Sequence, residues 1–133
     1  MRLSNRTEYA LLALIFLGRR SDASPVHGQE IAKVQRIPMP FLRQILLSLK
    51  QAHLVKSIKG RSGGYALCRA ADKISVAEIV RLFDGPLAPT RSVSKFFQED
   101  TPIVRERKVT SLMREVRDVV AKRLENTFLS DIL

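Results

Sequence analysis

The chain has 133 residues, with 23 Lys or Arg against 13 Asp or Glu and a net charge of +10. That length makes one domain with room for an appended helix, and that charge favours a polyanionic partner. The most apolar stretch, Tyr9 to Leu17, is too short to cross a bilayer, and no signal-peptide cleavage pattern follows the N-terminus, so a cytoplasmic protein without membrane association is expected.

The basic excess is uneven. Residues 1–90 hold 14 Lys or Arg and 6 Asp or Glu, whereas residues 91–133 hold 9 and 7. The single cysteine, Cys68, cannot form an internal disulfide and fits a reducing compartment. His27 and His53 are far apart and make no metal-ligand set with it. No Ser/His/Asp or Cys/His constellation and no phosphate-cradling loop is legible, which argues against an enzyme.

In chain order, Asn5 and Glu8 have the spacing of a capping box, and a helix is expected from about Arg6 to Arg19. Its apolar set is Tyr9, Leu12, Ala13, Phe16 and Leu17. Ser21 to Pro25 reads as a polar loop, and Gly28 to Gln35 as a second helix with Ile31, Ala32 and Val34 inward. Arg36-Ile37-Pro38 turns the chain into a third helix, where Leu42, Ile45, Leu46 and Leu49 recur on one face and Arg43, Gln44, Leu47, Lys50 and Gln51 on the other. Pro40 suits the first helical position, because its missing N–H would be an orphan there anyway.

Val55 to Ile58 is a β-branched run, broken by Gly60, Gly63 and Gly64 before Tyr65-Ala66-Leu67 resumes it. Two short helices followed by a hairpin with a cationic turn have the spacing of a winged helix-turn-helix. Ser75 and Glu78 repeat the capping-box pattern, and Val76, Ile79, Val80 and Phe83 mark a fourth helix ending at Asp84-Gly85.

Residues 86–101 lose periodicity and contain Pro86, Pro89, Ser92 and Ser94, a connecting loop long enough to suggest a role in control. Thr101-Pro102 is expected to open a helix running to about Asn126, about 37 Å at 1.5 Å per residue. Val109, Leu112, Met113, Val116, Val119, Val120 and Leu124 form its apolar stripe, with the spacing of a helix that pairs with another helix. So small a domain offers no internal partner of that length, which points to a homodimer. Thr127 to Leu133 would add a last turn, with Phe128, Leu129 and Ile132 packed down.

The expected fold is therefore mostly α with a small β-hairpin. Residues 1–85 form a winged helix-turn-helix DNA-binding domain, residues 86–101 a connecting and candidate sensor loop, and residues 102–133 a dimerisation helix and C-terminal turn. Double-stranded DNA is the expected partner. Arg43 and Gln44 match guanine and adenine edges in a major groove. Leu47 shares their face and either meets a thymine methyl or is covered by a neighbouring element. Lys59 and Arg61 flank Gly60 in a turn that can meet phosphate, and Gln29 at the start of the second helix is a phosphate candidate. Gly63 and Gly64 are compatible with either turn geometry or close approach to DNA. Cys68 reads as a small buried hydrophobe rather than a redox switch.

The chain resembles the Rrf-two family of bacterial winged-helix regulators. The resemblance is carried by Met1-Arg2-Leu3-Ser4 with Tyr9-Ala10, by Phe41-Leu42-Arg43-Gln44 with Leu49 and Leu54, by Gly60-Arg61-Ser62-Gly63-Gly64-Tyr65, and by Ile74-Ser75-Val76-Ala77-Glu78-Ile79. It extends without gaps over about the first 85 residues. It implies a dimeric transcription factor on a roughly palindromic operator, with Pro40, Arg43 and Gln44 at base edges and Lys59 or Arg61 in the minor groove, and a repressor is the function expected first. Family members with an iron–sulfur cluster hold it with three cysteines in the loop before the long helix and a fourth, non-cysteine ligand. Residues 86–108 here contain neither cysteine nor histidine, so no cluster and no other cofactor is expected. The alternative is a cluster-free regulator controlled by a partner protein or small-molecule effector docking on the 86–101 loop.

Overall fold

The computed structural model describes residues 2–20, 22–95 and 99–133. Ser21 of the polar loop, Phe96 to Gln98 of the connecting loop and Met1 of the N-terminal motif lie outside the described residues. The elements run α1 (Asn5–Gly18), α2 (Gly28–Gln35), α3 (Met39–Gln51), β1 (Val55–Ile58), β2 (Gly64–Leu67), α4 (Val76–Asp84) and α5 (Arg107–Glu125). Short 3-10 turns cover Ala71–Lys73, Arg91–Val93, Pro102–Arg105 and Leu129–Ile132. The fold is mostly helical with one two-stranded antiparallel hairpin, as expected.

The start of α1 corrects the expected capping box. Ser4, not Asn5, is the N-cap, and its hydroxyl accepts the Thr7 N–H at 3.2 Å. The buried face also differs from the expected one. Thr7, Ala10, Ala13, Leu14 and Leu17 are buried, whereas Tyr9, Leu12 and Phe16 are only half-buried. In a helix this apolar, hydrophobicity alone does not say which stripe is innermost; the packing of α3 and α4 against it does. The cap of α4 follows the expected half of its box. Ser75 Oγ accepts from Glu78 N at 3.1 Å, but the Glu78 carboxylate pairs with Arg69 at 2.5 Å instead of reaching back.

One core gathers Leu14, Ile31, Leu42, Ile45, Leu46, Leu49, Leu54, Ile74 and Ile79. Val34, expected inward on α2, is 57% exposed, because the eight-residue helix turns only Gly28, Ile31 and Ala32 to that core. A second cluster of Val76, Ala77, Val80, Leu87 and Ala121 lies on the other side of α4 and joins it to α5. Arg81 of α4 pairs with Glu125 of α5, and this hydrogen-bonded guanidinium holds the Glu125 carboxyl below its ordinary value.

The C-terminal turn returns to the head. Leu129 is fully buried in the first core, its N–H donates to Ile74 O at 2.8 Å, and Val76 N donates to Thr127 O at 2.8 Å. The long helix is shorter than expected. Thr101-Pro102 opens a 3-10 turn whose bonds run from Val104 N to Thr101 O and from Glu106 N to Ile103 O. Glu106, at φ −88° and ψ 88°, then leaves helical backbone, and α5 starts only at Arg107. The Thr110 hydroxyl closes the corner by donating to Ile103 O at 3.0 Å. The 19 residues of α5 span about 28 Å.

Candidate nucleic-acid interface

The α2–α3 corner is built on a left-handed residue. Arg36 sits at φ 55° and ψ 45° and closes α2, and Ile37 N donates back to Ala32 O at 3.0 Å while its side chain is buried. The Gln35 side chain ties the corner to α1 by donating to Leu12 O at 2.7 Å. Pro38 then caps α3, so Pro40 occupies its second position, where a missing N–H still costs nothing.

Burial of Leu42, Ile45, Leu46 and Leu49 orients α3, and it leaves Arg43, Gln44, Leu47, Lys50 and Gln51 in solvent. Leu47 is 56% exposed, so no element among the described residues covers it. Arg43 makes no ion pair with any described residue. Pro40 and Phe41 are exposed at the same end of the helix, and the Phe41 ring lies 6.3 Å from that of Tyr9, which sequence reasoning did not link to the reading helix.

In the wing, Val55 pairs with Leu67 and Ile58 with Gly64, leaving Lys59 to Gly63 as the turn. Lys56, Lys59 and Arg61 are exposed. Gly60 has φ +107° and Gly64 φ +140°. Gly63 is buried and its N–H is bonded to Gly60 O at 3.0 Å; a Cβ there would lie 2.1 Å from Ile58 O. The turn geometry therefore requires a glycine there. Val26 extends the wing as an isolated third bridge, exchanging both backbone hydrogen bonds with Tyr65 at 2.9 and 2.8 Å. Gln29 is exposed in the first turn of α2, two residues beyond His27, whose Nε2 lies 3.1 Å from Arg61 O. The fold thus brings together the start of α2 and the wing turn.

The whole chain matches known regulators. The profile of Rrf2, described as an iron-dependent transcriptional regulator, matches residues 3–133. The chain belongs to the Rrf2 family. The HTH-type transcriptional regulator CymR of Bacillus subtilis is 31% identical over 132 residues, covering 99% of this chain and 89% of its own. The solved structure of the B. subtilis CymR, the global cysteine regulator, superposes with a TM-score of 0.80 at 30% identity, covering 99% of this chain and 95% of that one. The IscR structure from T. potens gives 0.76 at 26% identity, covering 99% and 85%. This Rrf2 chain is accordingly a DNA-binding transcriptional regulator and not an enzyme.

The family description implies an iron centre. Among the described residues no three His, Cys, Asp or Glu side chains converge as metal ligands. The sole thiol is on the wing side of the head, and residues 86–108 carry no soft donor. The donor set does not fit an iron–sulfur cluster. No described helix is long and apolar enough to cross a membrane.

Cys68 departs from expectation. Its N–H continues the hairpin by donating to Leu54 O at 2.9 Å, but its thiol is exposed. It lines an open cleft of about 380 Å³ with Arg20, Ser24 and Arg69. Position at the end of an apolar strand suggested burial. The strand ends at Leu67, however, so alternation no longer governs the next side chain.

On the opposite side, the connecting loop is clamped to α5. Ser92, Val93 and Ser94 are buried, and Arg117 Nη1 donates to Val93 O at 2.8 Å. A cleft of about 640 Å³ opens beside this loop, lined by Arg81, Asp84, Thr90, Arg91 and Glu99 among others. On α5, Thr110, Arg117, Ala121 and Leu124 turn toward the chain's own loop and second core, whereas Val109, Leu112 and Val119 are exposed, Val119 by 70%. Met113, Val116 and Val120 are half-buried between these faces.

Proposed function

We propose that this Rrf2-family protein is a sequence-specific repressor that binds a roughly palindromic operator as a homodimer. The observation that carries the proposal is the division of α3: four apolar side chains wholly buried on one side, and Arg43, Gln44 and Leu47 exposed on the other. Pro40, Arg43 and Gln44 contact base edges, Leu47 meets a thymine methyl, and Lys59 or Arg61 enters the minor groove. Gln29 contacts phosphate at the start of α2. Gly63 keeps the wing turn tight enough for its cations to approach the duplex.

The exposed Val109, Leu112 and Val119, with the half-buried Met113, Val116, Val120 and Leu124 beside them, support an α5-to-α5 seam. Leaving such a row in water is unfavourable by roughly 25 cal/mol per Å² of apolar surface, which a second copy would cover. A two-fold dimer presents two identical reading heads, and palindromy in the operator follows. Regulation proceeds without an iron–sulfur cluster, since the donor set lacks its thiolates. Salt-titrated binding to a selected duplex and to its scrambled counterpart tests the proposal. A clear preference for the selected duplex, with affinity falling steeply in salt, is expected; equal affinity for both refutes sequence-specific recognition.

A second proposal concerns control. The cleft beside the 86–101 loop supports an effector, a partner protein or a small ligand, acting there. Capture of partners from lysate by the intact protein and by one with Ala88 to Arg91 replaced by Gly and Ser is expected to differ; identical partner sets count against a docking role.

A further inference from the structure

Among the described residues, one side-chain hydrogen bond ties the wing turn to the rest of the reading head. The ladder between β1 and β2 ends at Ile58 and Gly64, and within the turn Gly63 N donates to Gly60 O. Among the described residues, the hydrogen bond that leaves the turn is the one from the His27 ring to Arg61 O, at 3.1 Å. A carbonyl oxygen only accepts, so Nε2 must carry the proton and Nδ1 is the ring nitrogen left free.

His27 is also an anomalous cap. It holds the N-cap position of α2 with extended backbone at φ −64° and ψ 142°, yet its side chain makes no bond to the helix. Ser, Thr, Asp or Asn at that position would satisfy an orphan N–H of the first turn. Here the side chain is directed away from α2 and onto the wing. The preceding residue reinforces the connection, because Val26 bridges Tyr65, and Gly64 packs so closely that a Cβ would lie 2.3 Å from Val26 O.

We propose that His27 is a wing-positioning residue: its imidazole holds the Arg61 carbonyl at the start of α2, so that the wing cations and the outward face of α3 meet the same duplex. The proposal rests on the DNA-binding face proposed above. It also accounts for the missing side-chain cap: Glu30 N–H already donates to His27 O at 3.0 Å, and the exposed Gln29 keeps its backbone N–H available to phosphate.

The variants His27→Asn and His27→Gln separate positioning from mere stability. Asn is a favoured N-cap and too short to serve the wing once it caps the helix, whereas Gln retains a side-chain N–H with comparable reach. In the free protein, backbone ¹⁵N relaxation of residues 59–63 is expected to show lower order parameters in His27→Asn, with thermal stability kept or raised. On a duplex selected by the wild-type protein from a random library, His27→Asn is expected to weaken binding roughly three- to tenfold, the size of one exposed hydrogen bond, and His27→Gln to restore most of it. In a Lys59→Ala/Arg61→Ala background, His27→Asn should cost nothing further, because that wing no longer grips DNA.

Unchanged order parameters, or a loss fully additive with that of the wing variants, would overturn the positioning role. A wild-type protein that binds no selected duplex removes the DNA-binding face and the positioning role with it, whereas normal binding unaffected by His27→Asn removes only the latter.

Discussion

The Asp84 carboxylate, at the last residue of α4, accepts a hydrogen bond from Thr7 Oγ1 at 2.8 Å and another from Ser4 N at 3.1 Å. Burial raises this carboxyl, but the hydrogen bonds from Ser4 and Thr7 outweigh it, and the net displacement is downward from 3.8. Asp84→Asn should destabilise the protein by about 1 kcal/mol at neutral pH. Because the folded value is depressed, the contribution is full well above the unfolded value and is lost as pH falls through the folded one. Urea unfolding of both proteins from pH 7 to pH 3 should therefore show the wild-type advantage shrinking only at the acid end; a difference constant across that range would exclude an ionised Asp84 as the cause.

Arg43 and Arg61 are expected to fail differently. Arg43→Ala should cost about 1–3 kcal/mol on the selected duplex and relax preference at one base position, whereas Arg61→Ala as a phosphate contact should weaken all sequences and lower the salt slope by about one unit. Competition binding with single-base variants of the duplex, repeated over a salt series, measures both.

Val119 is the most exposed large apolar residue of α5, so Val119→Glu should leave the fold intact. Two carboxylates facing one another across an α5 seam would nonetheless separate the copies. Sedimentation velocity should report a monomer with the wild-type melting temperature, and binding to a full operator should fall toward that of a half-site.

Gly60 and Gly64 both have positive φ, but a Cβ at Gly60 meets nothing within 4 Å, whereas one at Gly64 collides with Val26 O. Gly60→Ala should cost roughly 1–3 kcal/mol of backbone strain at most, and Gly64→Ala clearly more, since the Val26–Tyr65 bridge must open as well. Urea midpoints at constant slope rank the two.

The exposed Cys68 thiol should react stoichiometrically with Ellman's reagent in native buffer, without denaturant. Protection until unfolding would return Cys68 to the buried class expected from the sequence.

Much of the architecture was legible in the sequence because local physics and tertiary packing agree there. Leu42, Ile45, Leu46 and Leu49 have a single helical stripe, which placed Arg43, Gln44, Lys50 and Gln51 on the opposite face, while Leu47 was settled as exposed only by the tertiary structure. Glycines between β-branched runs located the wing, and Ser75 located the start of α4. The apolar row of α5 was likewise visible from its period, although its helix starts five residues later than Pro102 suggested. Local signals ended where two choices were nearly equal in energy. Ser4 and Asn5 are both good caps, and α1 has more apolar residues than one face can bury, so contacts with α3 and α4 chose Ala10, Leu14 and Leu17. Glu78 could reach its own helix start or Arg69, and proximity in three dimensions chose the arginine. Periodicity says nothing about a side chain one residue past a strand, which is why the exposure of Cys68 and the reach of His27 to Arg61 are decided only by how the hairpin lies on α1 and α2.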